Sequence, residues 1–283
     1  MEKLNRWPLS AVRVVGPAVA CHAAPMAELN GRPVGVEQLQ TLALTNFGHF
    51  TTFRVDDGCV RGLAMHLDRL ERDCQAVFGV SLEAERVRRF VRRLVPAGGS
   101  ATIRVTVFDP ATDLTRPAGA NSPQLLVTRR PAATLPLAPL TVQSVSYARD
   151  APEIKNVGLF GTLRQRRIAQ LNGYDDALFV DAAGNVSEGG TWNIGFFDGE
   201  HVVWPAARCL AGITMRLLQN SPQKMKITPV SLTELGSMRA AFATNSAVGV
   251  RAITRIDDLT FPAGSEVLEA LRTAYRGVEP EAV

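Results

Sequence analysis

Glu153-Ile-Lys-Asn156 and, further along, Val186-Ser-Glu-Gly-Gly-Thr-Trp-Asn193 form the part of the chain on which the fold turns. Lys155 falls between a predicted strand over 141–147 and a predicted helix from about 159 to 172, with Gly173 placed to end it. Lysine is scarce in this arginine-rich chain. An amine set in a strand-to-helix connection can be partly desolvated, which lowers its pKa and leaves it neutral to attack carbonyls. Glu188 follows the turn at Gly184-Asn185 and precedes a strand over 192–197. The two glycines beside it allow backbone to approach a flat ligand closely. Taken singly, a loop lysine is usually solvated and a glutamate at a strand start is usually a surface charge.

Toward the C-terminus, strands are predicted over 176–181 and 200–204, the latter after an Asp198-Gly199 turn. A helix at 213–219, strands at 225–230 and 240–244, and a helix at 265–275 complete that half. Leu210-Ala-Gly-Ile-Thr214 runs into the first of these helices. Amides at a helix start, with a threonine hydroxyl added, suit a phosphate, although Thr214 also reads as a plain cap.

Toward the N-terminus, residues 131–139 carry Pro131, Pro136 and Pro139 and no periodicity, the mark of a stiff, extended linker. Strands at 101–108 and 124–128 flank a loop over 109–123 rich in Pro, Gly, Asp and Asn. Leu67, Leu70, Val77 and Phe78 fall on one helical face, and His66-Leu-Asp-Arg69-Leu70 places an arginine in that helix. Ser81 is predicted to cap a further helix, with Glu83 and Glu85 in its first turn and Val87, Phe90, Val91 and Leu94 as its buried stripe. Pro96-Ala-Gly-Gly99 stops it. Residues 26–60 read as strands and turns, with Phe50-Thr-Thr-Phe-Arg-Val55 closed by a hairpin signal at Asp57-Gly58.

The 283 residues suffice for one large domain or two modest ones, and 46% hydrophobic with 20% charged residues is an ordinary soluble composition. A net charge of +4 comes from dispersed arginines. The basic face formed by Arg86, Arg88, Arg89, Arg92 and Arg93 reads as solvated surface. No nucleic-acid motif accompanies it, and aromatics for base stacking are few. Cys21, Cys59, Cys74 and Cys209 lie far apart without ligand spacing, which predicts a reduced, cytoplasmic protein and no metal site. No apolar run reaches the roughly 20 residues of a membrane span. Segment 11–25 has the apolar character of a signal peptide, but Arg13 interrupts it, Pro17 follows, and Glu2 dilutes the basic start. Residues 1–25 are expected to be an extension, with the compact fold starting near Met26.

In their order along the chain, Arg69, Lys155, Glu188, Gly212-Ile213-Thr214 and Phe242-Ala-Thr-Asn-Ser246 resemble the class IV aminotransferase family, the fold-type IV pyridoxal 5'-phosphate (PLP) enzymes. The resemblance spans about 50–257. It implies an α/β to α+β fold of two domains with the cofactor in the cleft between them. The expected division is an extension over 1–25, a small α/β domain over 26–132, a linker over 133–139 and a larger cofactor-binding domain over 140–283. It also implies a homodimer, and a PLP-dependent transfer of an amino group from an amino acid or amine to a keto acid. Lys155 resembles the lysine that carries the cofactor and moves the proton, and Glu188 the carboxylate that keeps the ring nitrogen protonated. Arg69, Ile213, Thr214, Asn245 and Ser246 resemble the residues that bind the phosphate, and Asn193 a support for the glutamate strand.

Two departures bear on substrate. The Arg-Gly-rich loop that binds the substrate carboxylate in many relatives is replaced by Phe108-Asp-Pro-Ala-Thr-Asp-Leu-Thr-Arg116, which leaves Thr52, Arg104 and Arg116 as candidates. Phe160 stands where branched-chain enzymes place a tyrosine, five residues after the lysine, which weakens that assignment. Phe50-Thr-Thr-Phe-Arg-Val55 with His66, Arg69 and Asp73-Cys-Gln75 is similar to aminodeoxychorismate lyase, so a PLP-dependent lyase is one alternative. A cofactor-binding relic without turnover is the other.

Overall fold

The computed structural model describes residues 27–283, so the expected extension over 1–25 lies outside the described residues. Two sheets carry the fold. The first collects β1 (Ala27–Leu29), β2 (Arg32–Pro33), β3 (His49–Asp56), β4 (Cys59–Arg61), β5 (Ser100–Phe108) and β6 (Gln124–Pro131). The second collects β7 (Leu140–Ser146), β8 (Asp176–Val180), β9 (Val186–Gly189), β10 (Asn193–Phe197), β11 (Val202–Pro205), β12 (Met225–Thr228), β13 (Ala240–Asn245), β14 (Gly249–Ile256) and β15 (Leu259–Thr260). A last strand, β16 (Pro280–Ala282), returns to the first sheet and pairs with β4. The first sheet runs β16-β4-β3-β5-β6-β1-β2; the second runs β12-β11-β10-β13-β14-β7-β8-β9, with β15 on β14.

Alternation decides what each face of the first sheet meets. Phe53 and Val55 of β3, with Ile103, Val105 and Val107 of β5, turn toward the helices α2 (Leu63–Phe78) and α3 (Ala84–Arg92). There they pack on Leu63, Leu67, Leu70, Cys74, Val87 and Val91. Residues one step out of phase, Thr52 and its partner Arg104, face away from that core. The hairpin β3–β4 turns at Asp57 and Gly58, both at positive φ (47° and 80°), as a two-residue Asp-Gly turn requires.

The second sheet is buried on both faces. Ile194, Phe196, Val203, Ala241 and Ile253 belong to one apolar cluster. Val202, Trp204, Phe242 and Ala252 belong to another, with Leu218 of α5 (Ile213–Gln219) and Leu268 and Leu271 of α6 (Glu266–Gly277). Strands β7 and β8 are parallel and joined through α4 (Phe160–Leu171), the crossover that parallel pairing demands. Gly173, at φ 85°, follows that helix.

Several features depart from the sequence expectation, among them the short strand β15 and the final strand β16, which follows the helix expected to complete the C-terminal half. Residues 36–45 form a helix, α1 (Val36–Thr45), where strands and turns were expected. None of its residues is fully buried and Val36 and Leu44 are exposed; only Leu39 and Leu42 rest, partly buried, on the Leu29, Phe108 and Leu126 cluster, which is too narrow a stripe to read. Helix α3 is capped at Glu83 rather than Ser81, because the segment stays extended while Leu82 enters the core at 3% exposure. Strand β14 was not expected; a register shift between Ile253 and Arg255 breaks its period of two. Strand β9 is a paired element in its own right, not the lead-in to β10. The basic face of α3 is partly employed within the chain: Arg88 donates to the carbonyl of Ala282 (2.9 Å), Arg92 to that of Val283 (2.7 Å), and Arg93 pairs with Glu28 (2.7 Å). Among the described residues no helix is long and apolar enough to cross a membrane.

Gly195 on β10 lies opposite Phe242 on β13, whose ring meets Trp204 edge-on at 5.3 Å. A Cβ at 195 would stand 2.4 Å from that ring. Gly195→Ala is therefore expected to cost about 1–3 kcal/mol through overpacking, read as a lower midpoint in denaturant unfolding at unchanged slope.

Candidate active site

A cavity of about 300 Å³ receives side chains from both sheets and from the connections between them. Lys155, in the connection from β7 to α4, lines it. Its backbone is held from two sides: its N–H donates to Asp73 Oδ2 (3.2 Å), and its carbonyl accepts from the N–H of Phe50 (2.8 Å). Asp73 Oδ1 is taken by Arg72 (2.7 Å). The lysine Nζ stands 4.9 Å from the centre of the Phe50 ring. Burial first, then the positive charges of Arg69 and Arg149, pull its pKa down to about 7 against the opposing pull of Glu188.

Glu188 lies on β9 at 5% exposure. Arg149 Nε donates to its Oε1 (2.8 Å) and the N–H of Leu210 to its Oε2 (3.2 Å). Burial pushes this carboxyl above its usual range, while Arg149 opposes the rise. The remaining donors of Arg149 go to the carbonyls of Pro152 and Ile154, so one guanidinium ties the lysine's connection to the glutamate's strand. Asn193 Nδ2 donates to the carbonyl of Leu210 (2.7 Å). A Cβ at Gly212 would lie 1.9 Å from Asn193 Oδ1, so the chain there must be glycine to pass so close.

Arg69, on α2, is 4% exposed. Its Nη2 donates to Thr51 Oγ1 (2.6 Å), and its Nε has no partner. Among the described residues no carboxylate lies within ion-pair distance of it. Burial lowers its pKa to about 10. A buried guanidinium without a counter-charge is an anion receptor. Ile213 and Ser246 line the same cavity, and the hydroxyl oxygens of Thr214 and Ser246 are 3.3 Å apart. Asn245 lines it too, but its Oδ1 accepts from the N–H groups of Ala247 (3.0 Å) and Val248 (3.1 Å) and so shapes its own turn.

Of the three substrate candidates, Thr52 and Arg104 are in the cavity wall. The Arg104 guanidinium lies 3.6 Å above the Phe50 ring, and burial with the nearby Arg130 lowers its pKa to about 10. Arg116 sits exposed before the short turn Pro117–Gly119, outside the cavity lining. Phe160 is 81% exposed at the start of α4, likewise outside it. Arg149, Phe50 and Arg130 were not singled out from the sequence. Arg149 is separated from Glu188 by a helix and a strand, and no local pattern pairs them.

The cavity thus combines a half-buried amine of depressed pKa, a buried carboxyl and a buried cation lacking an anion. These fit the aldehyde, ring nitrogen and phosphate of PLP.

The family model for amino-transferase class IV matches residues 48–256, most of the chain. Among solved structures, the chain is similar to a branched-chain aminotransferase from Thermoproteus uzoniensis solved with norvaline, at 21% identity and a TM-score of 0.77 over 89% of this chain and 94% of that one. It is similar to an aminotransferase from Brucella abortus bound to PLP, at 21% identity and a TM-score of 0.77 over 89% and 98%. The branched-chain aminotransferase of Escherichia coli gives 20% identity and 0.77 over 89% and 93%. No curated protein matches. At these identities the solved structures speak for the fold, and the family match carries the assignment: this chain belongs to the class IV aminotransferases, enzymes that work with PLP.

Proposed function

We propose that this enzyme transfers an amino group between an amino acid or amine and a keto acid, with Lys155 as the residue that holds the cofactor and moves the proton at the substrate's α-carbon. The observation that supports this most is the Lys155 amine, neutral above about pH 7, in one cavity with the buried Glu188 and the unpaired Arg69. Bound PLP supplies an electron-withdrawing ring that makes the substrate's α-hydrogen acidic. Glu188, held by Arg149 and the amide of Leu210, would hold the ring nitrogen and keep a proton there. Arg69 would neutralise the phosphate, with Thr214, Ser246 and the main chain at Ile213 and Asn245 available to complete its seat. Lys155 is the acid–base group, and a pKa near 7 suits an amine that must both accept and return a proton.

Thr52 and Arg104 form the substrate side, Arg104 meeting a carboxylate of the substrate and Phe50 holding its guanidinium flat. Arg116 remains a candidate only if an assembly brings it to a cavity. The domain division that accords with this reading is a small domain to about 132, a linker over 133–139 and a larger domain from 140, with β16 returning to the small one. Cytoplasmic location is supported by Cys59, Cys74 and Cys209 being free. A homodimer is supported by the apolar side chains that α4 leaves exposed, Phe160, Leu163 and Leu171.

Screening L- and D-amino acids and simple amines with several keto acids should reveal a productive pair in the wild type. Lys155→Ala is expected to lower that turnover by at least about 10²–10⁴-fold, the scale of general acid–base catalysis; retained turnover would remove the assignment. A second expectation needs no cofactor. Because the pKa of Lys155 is lowered, the amine loses its proton as pH rises through about 7 rather than 10.5. Its labelling by a small acylating reagent in the apo-protein, followed by peptide mass spectrometry, should rise with a midpoint near 7. A midpoint near 10 would refute the burial argument.

A further inference from the structure

Behind Arg69 lies a chain of buried groups to which the proposed chemistry assigns nothing. Thr51 and His66 are both fully buried, as is His49. Thr51 Oγ1 is 2.7 Å from His66 Nδ1 and accepts from Arg69 Nη2 at 2.6 Å; Arg69 Nη2 also approaches His66 Nδ1 to 3.4 Å. The guanidinium is donor-only, so the direction of every hydrogen in the chain follows from it. Arg69 donates to Thr51 Oγ1, and the Thr51 hydroxyl then donates to His66 Nδ1, which must be unprotonated. The opposite assignment, a proton on Nδ1, would turn two donors toward each other at 3.4 Å and leave the Thr51 hydroxyl hydrogen without an acceptor. It would also leave Nε2 unpaired. An unsatisfied buried polar group costs about 1–3 kcal/mol, so the assignment with one orphan prevails over that with two and a repulsion.

We infer that Thr51 and His66 are positioning residues for the cofactor phosphate: a neutral His66 protonated on Nε2 orients the Thr51 hydroxyl, and that hydroxyl pins Arg69 by one nitrogen while the rest of the guanidinium stays free for an anion. Burial acts first to keep His66 uncharged, and the charged groups facing it, Arg69 on its own helix and Lys155 from the connection across the cavity (a cation below about pH 7), act in the same direction. His66 therefore stays neutral well below the ordinary imidazole range. The hydroxyl converts the histidine's acceptor into an acceptor for arginine one bond further on. No carboxylate is needed, which keeps the arginine's charge undivided. This inference rests on the reading of Arg69 as the phosphate's partner.

The test uses the full chain as apo-protein titrated with PLP, comparing the wild type with Thr51→Val, Thr51→Ser and Arg69→Ala. Valine matches threonine in shape but cannot accept or donate. Thr51→Val should weaken PLP binding about tenfold or more, with the melting temperature of the apo-protein within 3–4 °C of wild type. Thr51→Ser should restore affinity to within about threefold. Wild-type affinity in Thr51→Val, with Arg69→Ala strongly weakened, overturns the inference and leaves the phosphate reading standing. Wild-type affinity in Arg69→Ala overturns both. A second measurement is independent of these variants and of the cofactor. Long-range ¹H–¹⁵N correlation spectra of wild-type apo-protein should show His66 as the Nε2-protonated neutral tautomer from pH 9 down to pH 5. An Nδ1-protonated or imidazolium pattern in that range overturns it.

Discussion

The site depends on how the backbone of Lys155 is clamped. One hydrogen bond joins it to β3 at Phe50 and another to α2 at Asp73, so the lysine is fixed to the first sheet although its connection belongs to the second. Without that clamp the amine would be a loop cation free to reach solvent, and its pKa would return toward the ordinary value. With it, the amine is carried into a cavity already holding Arg69, Arg104 and Arg149, and burial among cations does the rest. Fixing the main chain is thus what turns a common surface residue into a reactive one.

The carboxyl at 188 works by a different balance. It is desolvated, which favours the protonated form, and it accepts from Arg149 and an amide, which favour the ionised one. Arg149 anchors this carboxyl and simultaneously closes the connection that bears Lys155 through the carbonyls of Pro152 and Ile154. Losing a buried partner of this kind leaves an uncompensated charge, at a cost of about 3–5 kcal/mol. Loss of Arg149 would therefore disturb both the lysine's backbone and the glutamate's protonation.

Much of this is legible in the sequence. Strands β3, β5, β7, β8, β10 and β13, and helices α2, α4, α5 and α6, announce themselves by period and by turn residues such as Asp57-Gly58 and Gly173. The order of Arg69, Lys155, Glu188 and Thr214 pointed to the family. What escaped had a physical reason in each case. Helix α1 rests on the core through Leu39 and Leu42 alone, too narrow a stripe to carry a signal. Strand β14 contains a register shift that scrambles its alternation. Arg149 meets Glu188, 39 residues away, and Phe50 meets the Lys155 connection and the Arg104 guanidinium only once the chain is folded. Contacts between remote residues leave no imprint on local sequence, whereas periodicity does.

The return of β16 to the first sheet means that the polypeptide passes twice between the sheets, once before β7 and once after α6. The two sheets are thus joined covalently at two separate places, and main-chain hydrogen bonds from Phe50 to Lys155 and from Arg54 to Ser246 stitch them together between those places. Arg88 and Arg92 fasten the second crossing by gripping main-chain oxygens of Ala282 and Val283. The edge of the first sheet at β4 is thereby covered by residues from the far end of the sequence, so that sheet is completed only when the last strand has been laid down.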